Sequence, residues 1–512
     1  MQAERRHVVR NIVVVAASFG LAASAGLLRN VIIARQFGIG VHLDAYYAAF
    51  RLPDLLFTVI AGTSLSAAFV PVFAGLLAGG NDREAWRLTS AVTNLVVVIV
   101  SVLALLAGLL APWLVRVLVA PGFDAEAQAN TVAMMRLVLV STVLFGISAV
   151  QTNALHGFKH FLLPALAPVV YPLGIAAGAQ WLAPSLGVRG LAIGAIIGAA
   201  LHLAIKIPAL VHYGFRWWPV LGLRSQAVRR VITLMGPRVL DLGVFQLTLL
   251  ATANLASRLG PGSVSALEWG WDAMQLPETI IGTAFGLVAL PTLSDLAARG
   301  DTDGLRDMLG EVLRAVLALT VPAALGLILL GRPLLQFLYQ RGAFDTTATD
   351  AVYVALRFYA LGLVGHASLE LAARAFFAQQ DTVTPLLVAA ASAVTNILLG
   401  IVLRVPLGHG GLALANSLAI SAEVIALLLI LRRRWKGVGG RKLLLSLLRV
   451  LAATSVMGVV VYSVVWAMER AAASPLVVIA VGAAVGGLTY LAIGLLFQVQ
   501  GLRWLLRAFG RE

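Results

Sequence analysis

Two stretches, DAYYAAFRLPD (44–54) and EWGWDAMQLPE (268–278), each open on an acid and close on Leu-Pro-acid, 224 residues apart. The landmarks around them recur in the same order. Pro71 of FVPVF answers Pro291 of ALPTL. Arg136, Ala154, Pro164 and Gly190-Leu191-Ala192 return as Arg357, Ala375, Pro385 and Gly411-Leu412-Ala413, all at one spacing of 221. Chance matches do not keep a single spacing over so long a stretch, so the chain is an internal repeat.

What repeats is apolar. Hydrophobic residues make up 60% of the 512 and charged residues 12%, against roughly 25% charged in an ordinary soluble domain; mean hydropathy is +0.93. A soluble fold of this size would lack the charge to cover its surface. The chain therefore reads as an all-α polytopic membrane protein. With about 20 apolar residues needed per crossing, about fourteen spans emerge, at 11–34, 44–77, 86–119, 128–156, 161–183, 189–213, 228–257, 263–296, 305–338, 347–377, 382–403, 409–431, 443–467 and 474–498. The repeat then divides the chain into two six-helix lobes, 1–215 and 216–436. They are parallel because six is even, and are related by a pseudo-two-fold axis; 437–512 adds two unrepeated spans. Parallel halves about an axis along the membrane normal are a transporter architecture, with substrate held between the halves near mid-membrane.

The net charge of +15 falls mostly in short loops: at the N-terminus, at Arg83 and Arg87, at Arg216, Arg224, Arg229 and Arg230, at Arg299 and Arg306, at Arg432, Arg433, Arg434, Lys436, Arg441 and Lys442, and at Arg503, Arg507 and Arg511. Alternate loops are poor in base, which puts both termini in the cytoplasm. No basic stripe interleaved with aromatics marks a nucleic-acid partner. Zero cysteines exclude disulfides, thiolate metal sites and cysteine nucleophiles. The start of the chain has the charge order of a signal sequence, but the apolar run 12–28 is too long for one and reads as a retained first span.

Ionisable residues inside spans are costly and mark function by default. The set is Arg29, Asp44, Arg51, Asp54, Arg238, Asp241, Glu268, Asp272, Glu278, Arg357, Glu370 and Glu423. The alternative for each is a helix-end residue that snorkels or forms a structural pair, an alternative weaker for the symmetric acids Asp44/Glu268 and Asp54/Glu278. Arg29 shares a helix face with Ala22 and Gly26, whose small side chains leave room for a guanidinium to grip a phosphate. The prolines of Leu-Pro remove a backbone donor and bend spans 2 and 8, which is tolerated where a helix lines a cavity. H-E-x-x-H, P-loop and G-x-S-x-G patterns are absent, so no enzyme, cofactor or metal site is expected. His156 and His160 read as a solvated turn, and the GHGG at 408–411 as structural.

With spans 1 and 2 in view, the sequence resembles the MurJ/MviN family of lipid II flippases, within the multidrug/oligosaccharidyl-lipid/polysaccharide exporter superfamily. The resemblance is carried by LLRNVIIARQFGIGVHLDAYYAAFRLPDLL and SLSAAFVPVFAGLL, then by MGPRVLDLG, PGSVSALEWGWDAMQLPETIIGTAFGLVALPTLS and FFAQQDTVTP, and it runs the whole length. It implies a V-shaped pair of lobes around a cationic cavity, a tail groove at spans 13 and 14, and a bacterial inner-membrane location. The cargo it implies is an undecaprenyl-pyrophosphate-linked disaccharide-pentapeptide, moved from the cytoplasmic to the outer leaflet. Matching positions are Arg29, Asp44 and Arg51. Four departures stand out. Ala23 and Phe57 occupy places where the family carries arginines, Asn30 replaces an aspartate, and Asp272 replaces the arginine of the eighth span.

A unit like-charge contact at about 4 Å and an effective dielectric of about 20 costs about 4 kcal/mol, so an added acid matters to a pyrophosphate. Either Arg29, Arg51 and Arg238 bind the pyrophosphate with Asp272 paired to one of them, or the cargo has changed. The substrate set is therefore Arg29, Asn30, Arg51, Arg238 and Asp272. Asp44, Asp54, Glu268 and Glu278 are the candidate coupling or gating acids for a proton or sodium ion. The partners expected are a lipid-linked glycan, membrane lipids and that coupled cation. The competing readings are an exporter of another lipid-linked oligosaccharide or a cationic amphiphile, and a membrane scaffold that kept the fold without transport.

Overall fold

A computed structural model of the chain describes residues 2–437 and 439–502; the side chains of 2–17, 19, 63 and 236–241 lie outside the described residues. Twelve of its helical segments are long and apolar enough to cross a membrane, among the described residues. The expected limits reappear closely: 86–119 is Asp82–Val119, 128–156 is Ala125–Gly157, and 347–377 is Thr346–Ala378. The first and seventh expected spans fall in the helices Gln2–Phe37 and Gln226–Ala256, some of whose side chains lie outside the described residues. In hydrocarbon every backbone N–H and C=O must be satisfied within its own segment, so uninterrupted apolar runs become long helices.

The two stretches that define the repeat are where helices break. Span 2 runs as Val41–Ala61 and Thr63–Ala78, parted at Gly62, where a Cβ would stand 2.4 Å from the Thr58 carbonyl oxygen. Only glycine fits there. Span 8 runs as Ser263–Glu278 and Ala284–Ala298, joined by a π-helical turn, Thr279–Thr283, immediately after Pro277 and Glu278. Pro53 thus sits nine residues and Pro277 two residues ahead of a discontinuity, and π-helical turns such as 279–283 cluster at functional sites.

The chain packs as two compact units, Met1–Pro261 with Arg341–Phe344, and Gly262–Gln340 with Asp345–Glu512. The expected lobes follow the repeat; packing divides the chain elsewhere. The helix Gln226–Ala256 belongs with the first unit, held there by Gln246 Nε2 donating to Thr58 Oγ1 (2.9 Å) and Asn254 Nδ2 donating to the Leu118 carbonyl (2.7 Å). Within that unit, Leu162–Ala177 and Arg189–Ala204 cross on glycines: a Cβ on Gly174 would lie 2.4 Å from the Gly198 Cα, and one on Gly178 would lie 2.7 Å from the Gly194 Cα. Backbones that close gain packing which lipid cannot match. An aromatic cluster of Phe69, Phe73, Trp86 and Phe158 fills the core beside it.

In the second unit, the last two spans, Gly440–Arg470 and Pro475–Leu496, pack against Leu325, Leu329 and Leu330 of Thr302–Tyr339. Tyr490 donates its hydroxyl to the Ala318 carbonyl at 2.5 Å. The repeat persists in loop chemistry. Asp124 and Asp345, 221 apart, each cap a helix by accepting from the backbone N–H three residues on. Lys159 and Gln380, again 221 apart, both take left-handed backbone (φ 58 and 61). The next residue then ties back to the end of a later span: His160 to Tyr213 (3.4 Å) in one unit, Asp381 to Arg434 (2.7 Å) in the other.

The Asp381 carboxylate lies outside the spans. Burial pushes its pKa up, but hydrogen bonds from the Thr384 N–H and hydroxyl and from Arg434 outweigh that and bring it from 3.8 to about 2. A carboxyl held low in the folded state stabilises above its unfolded pKa and loses that contribution as pH falls through the folded one. Asp381→Asn is therefore expected to cost about 1 kcal/mol near neutral pH after solvent screening. Thermal unfolding of the two purified proteins should converge as pH drops from about 4 towards 2; a gap unchanged at low pH would exclude this latch.

Candidate functional site

In the first unit the candidate residues come from the end of Gln2–Phe37 and the first half of span 2. Arg29 is half-buried and Asn30 buried. The Asn30 Oδ1 accepts from both Nε (2.9 Å) and Nη2 (2.8 Å) of Arg29. The amide therefore orients the planar guanidinium with two hydrogen bonds, as a carboxylate would. A Cβ on Gly26, one turn before, would meet nothing within 4 Å, so the space expected beside Arg29 is open.

Asp44 is buried (1% exposed) in the first turn of Val41–Ala61. Arg51 is half-buried and Asp54 is exposed. Asp54 lies within electrostatic reach of Arg51, Tyr46 and Tyr171, and both tyrosines feel Arg29. Arg29, Arg51, Asp54, Tyr46 and Tyr171 thus form one polar neighbourhood. It brings two guanidiniums and a carboxylate together with two tyrosines, whose hydroxyls can donate or accept. Phe57 has a different role: its ring meets Phe145 at 5.6 Å, and Phe145 meets Tyr171 at 4.7 Å. An aromatic wall stands where the family resemblance implied a cation. Arg238, in Gln226–Ala256, has its side chain outside the described residues.

The remaining candidates, Glu268, Asp272 and Glu278, are half-buried along span 8 of the second unit. Beside Asp272, the Trp271 ring meets Tyr359 (5.3 Å) and His366 (5.0 Å), and the His366 Nε2 pairs with Asn416 Oδ1 at 3.1 Å. Glu278 opens the π-helical turn within electrostatic reach of Glu370 and Arg374. Arg374 binds Glu370 at 2.7 Å and lies across Gly286, where a Cβ would fall 1.6 Å from its Nη1. Two carboxylates thus stand around one guanidinium at the helix discontinuity.

Sequence reading did not single out Tyr46, Tyr171, Arg374 or Lys206. The tyrosines and Arg374 carry no local pattern that separates them from ordinary span residues. Lys206 does: it stands alone inside the apolar run LHLAIKIPAL. Its 0% exposure shows what that run concealed.

The fold and these sites define a polytopic membrane protein of repeated, broken-helix design. The profile described as "Lipid II flippase MurJ" matches residues 33–499, and the chain belongs to that family. A relative from Burkholderia cenocepacia, "Lipid II flippase MurJ", is 33% identical over 82% of this chain and 82% of its own. A "Probable lipid II flippase MurJ" from Vibrio cholerae is 28% identical over 81% of each. Among solved structures, "Lipid II flippase MurJ, inward closed conformation" superposes with TM-score 0.81 at 23% identity, covering 98% of this chain and 100% of that one. An inward-facing multidrug resistance MATE transporter of the MOP superfamily follows at TM-score 0.70 and 14% identity, over 81% and 94%.

The acidic cluster makes a coupled prediction. Arg374→Met leaves Glu370 and Glu278 without their cation and is expected to cost about 1–2 kcal/mol, the half-exposed site lowering the penalty of a fully buried break. Adding Glu370→Gln should recover most of it in a double-mutant cycle of thermal stability; strictly additive losses would show that the pair is not coupled.

Proposed function

We propose that the chain flips lipid II from the inner to the outer leaflet of the bacterial cytoplasmic membrane by alternating access, with both termini cytoplasmic. Family membership supports the class, and the observation that carries the substrate is the Arg29–Asn30 pair. Asn30 holds the Arg29 guanidinium in one orientation through two hydrogen bonds, which presents it to an anionic group. Arg29 and Arg51 then take the pyrophosphate, with Tyr46 and Tyr171 as hydroxyl donors. Bidentate, charge-assisted contacts of this kind are among the strongest available to a side chain.

Directional flipping needs a driving force, and the acids Asp44, Asp54, Glu268 and Glu278 are the candidate carriers of a coupled proton or sodium ion. Intramembrane carboxylates commonly serve proton relays and ion pathways. Asp272 favours the second reading, a changed cargo, because it puts a negative charge where a pyrophosphate carrier would have a positive one.

Complementation decides between them. In a bacterium depleted of its own lipid II flippase, the wild-type chain is expected to restore growth and Arg29→Ala to fail at equal expression, with at least about a tenfold loss of flipping for one lost charge-assisted contact. No rescue by well-expressed wild type, together with rescue by Asp272→Arg, would overturn the lipid II reading in favour of a diverged cargo.

A further inference from the structure

Four of the chain's 38 basic residues are lysines: Lys159, Lys206, Lys436 and Lys442. Three are exposed. The fourth, Lys206, is 0% exposed at the break between Arg189–Ala204 and Ile207–His212, inside the span Arg189–His212. The choice of base is informative. A chain that uses arginine almost everywhere places a lysine at the most buried cation among the described side chains, and lysine can give up its proton in a protein whereas arginine cannot.

All three ammonium donors have acceptors on the helix Ala125–Gly157. Nζ donates to the Ser148 carbonyl (2.6 Å), to Ser148 Oγ (2.5 Å) and to Thr152 Oγ1 (2.9 Å). Among the described residues no carboxylate pairs with it; its acceptors are neutral oxygens. Ser148 Oγ also lies 2.7 Å from Nδ1 of His202, one turn before Lys206 and half-buried. The three groups form a continuous hydrogen-bonded chain from a buried base to a more accessible one.

We propose that Lys206, Ser148 and His202 form a proton-exchange site in the first unit. In the transfer, Ser148 Oγ accepts a proton from the Lys206 ammonium as the Ser148 hydroxyl passes its own proton to the unprotonated Nδ1 of His202. A neutral amine, an intact hydroxyl and an imidazolium result, and the reverse step restores the start. The other titratable groups facing this chain are His156, on the same helix as Ser148 and within electrostatic reach of Lys206, and Tyr171, separated from the His202 ring by Phe145 (5.1 and 4.7 Å between rings). A purely structural tie between the two helices would be served as well by arginine or by a neutral donor; a proton-exchange site is not.

The role of this site in transport rests on the flippase reading, but the site itself is tested without transport. Proton binding of purified wild type and Lys206→Arg is compared by potentiometric titration between about pH 6 and 9, a range in which exposed lysines and arginines stay charged. The expected result is about one more exchangeable proton per chain in wild type; equal counts overturn the site. Ser148→Ala keeps Lys206 and breaks the chain to His202. It should slow proton uptake after a pH jump by about tenfold or more, and an unchanged rate overturns the relay. In proteoliposomes, an imposed pH gradient should accelerate lipid II flipping several-fold in wild type and not in Lys206→Arg, and a variant that keeps the response removes the site from coupling. A wild type that exchanges the proton yet flips no lipid II would leave the site standing and sink the flippase reading instead.

Discussion

A charge or an unpaired backbone group in hydrocarbon costs several kcal/mol, and the structure can be followed from how each such cost is met. Backbone groups are met by helices of up to 38 residues, interrupted within spans 2 and 8 at Gly62 and at Thr279–Thr283. Charges are met by close neighbours: Arg29 by the amide next to it, Arg374 by Glu370 one turn away, Lys206 by three oxygens of a facing helix. Each solution differs in what it leaves behind. The amide orients a guanidinium, the carboxylate pairs with one, and neutral oxygens hold an ammonium.

The two units show a shared skeleton carrying divergent chemistry. The helix caps at Asp124 and Asp345, and the left-handed turns at Lys159 and Gln380, sit at the repeat spacing. Yet the tie that follows the turn is a histidine–tyrosine contact in one half and an aspartate–arginine ion pair in the other. The same holds around the broken spans. Near span 2, Arg29, Arg51 and Asp54 gather with Tyr46 and Tyr171, while at span 8 Glu278 meets the Glu370–Arg374 pair of a neighbouring helix. A fold hosts chemistry without dictating it, and duplication followed by divergence lets the two halves carry different side chains on one skeleton.

The spans were legible because apolar run length is a local, one-dimensional property. The expected 409–431 became His409–Arg434, and 474–498 became Pro475–Leu496. The repeat was legible because Asp44, Pro53, Glu268 and Pro277 hold their spacing. The site was legible in part: Arg29, Asp44, Arg51, Asp54 and Glu278 stand out as polar residues in apolar runs. Their partners did not, because Tyr171 lies 117 positions after Asp54 and Arg374 lies 96 after Glu278, and no periodicity links residues on different helices.

The sequence by itself determined an all-helical membrane protein of two related halves, the limits of most of its spans, and the bends of spans 2 and 8, since hydrophobic run length, proline and glycine act on the chain locally. Tertiary structure alone decided that the helix Gln226–Ala256 packs with the first unit, that Asn30 grips Arg29, that Phe57 joins an aromatic wall, and that Lys206 is sealed against Ser148 and Thr152. Those outcomes depend on which faces of distant helices meet, and the energy of burying a polar group depends on the partner found there.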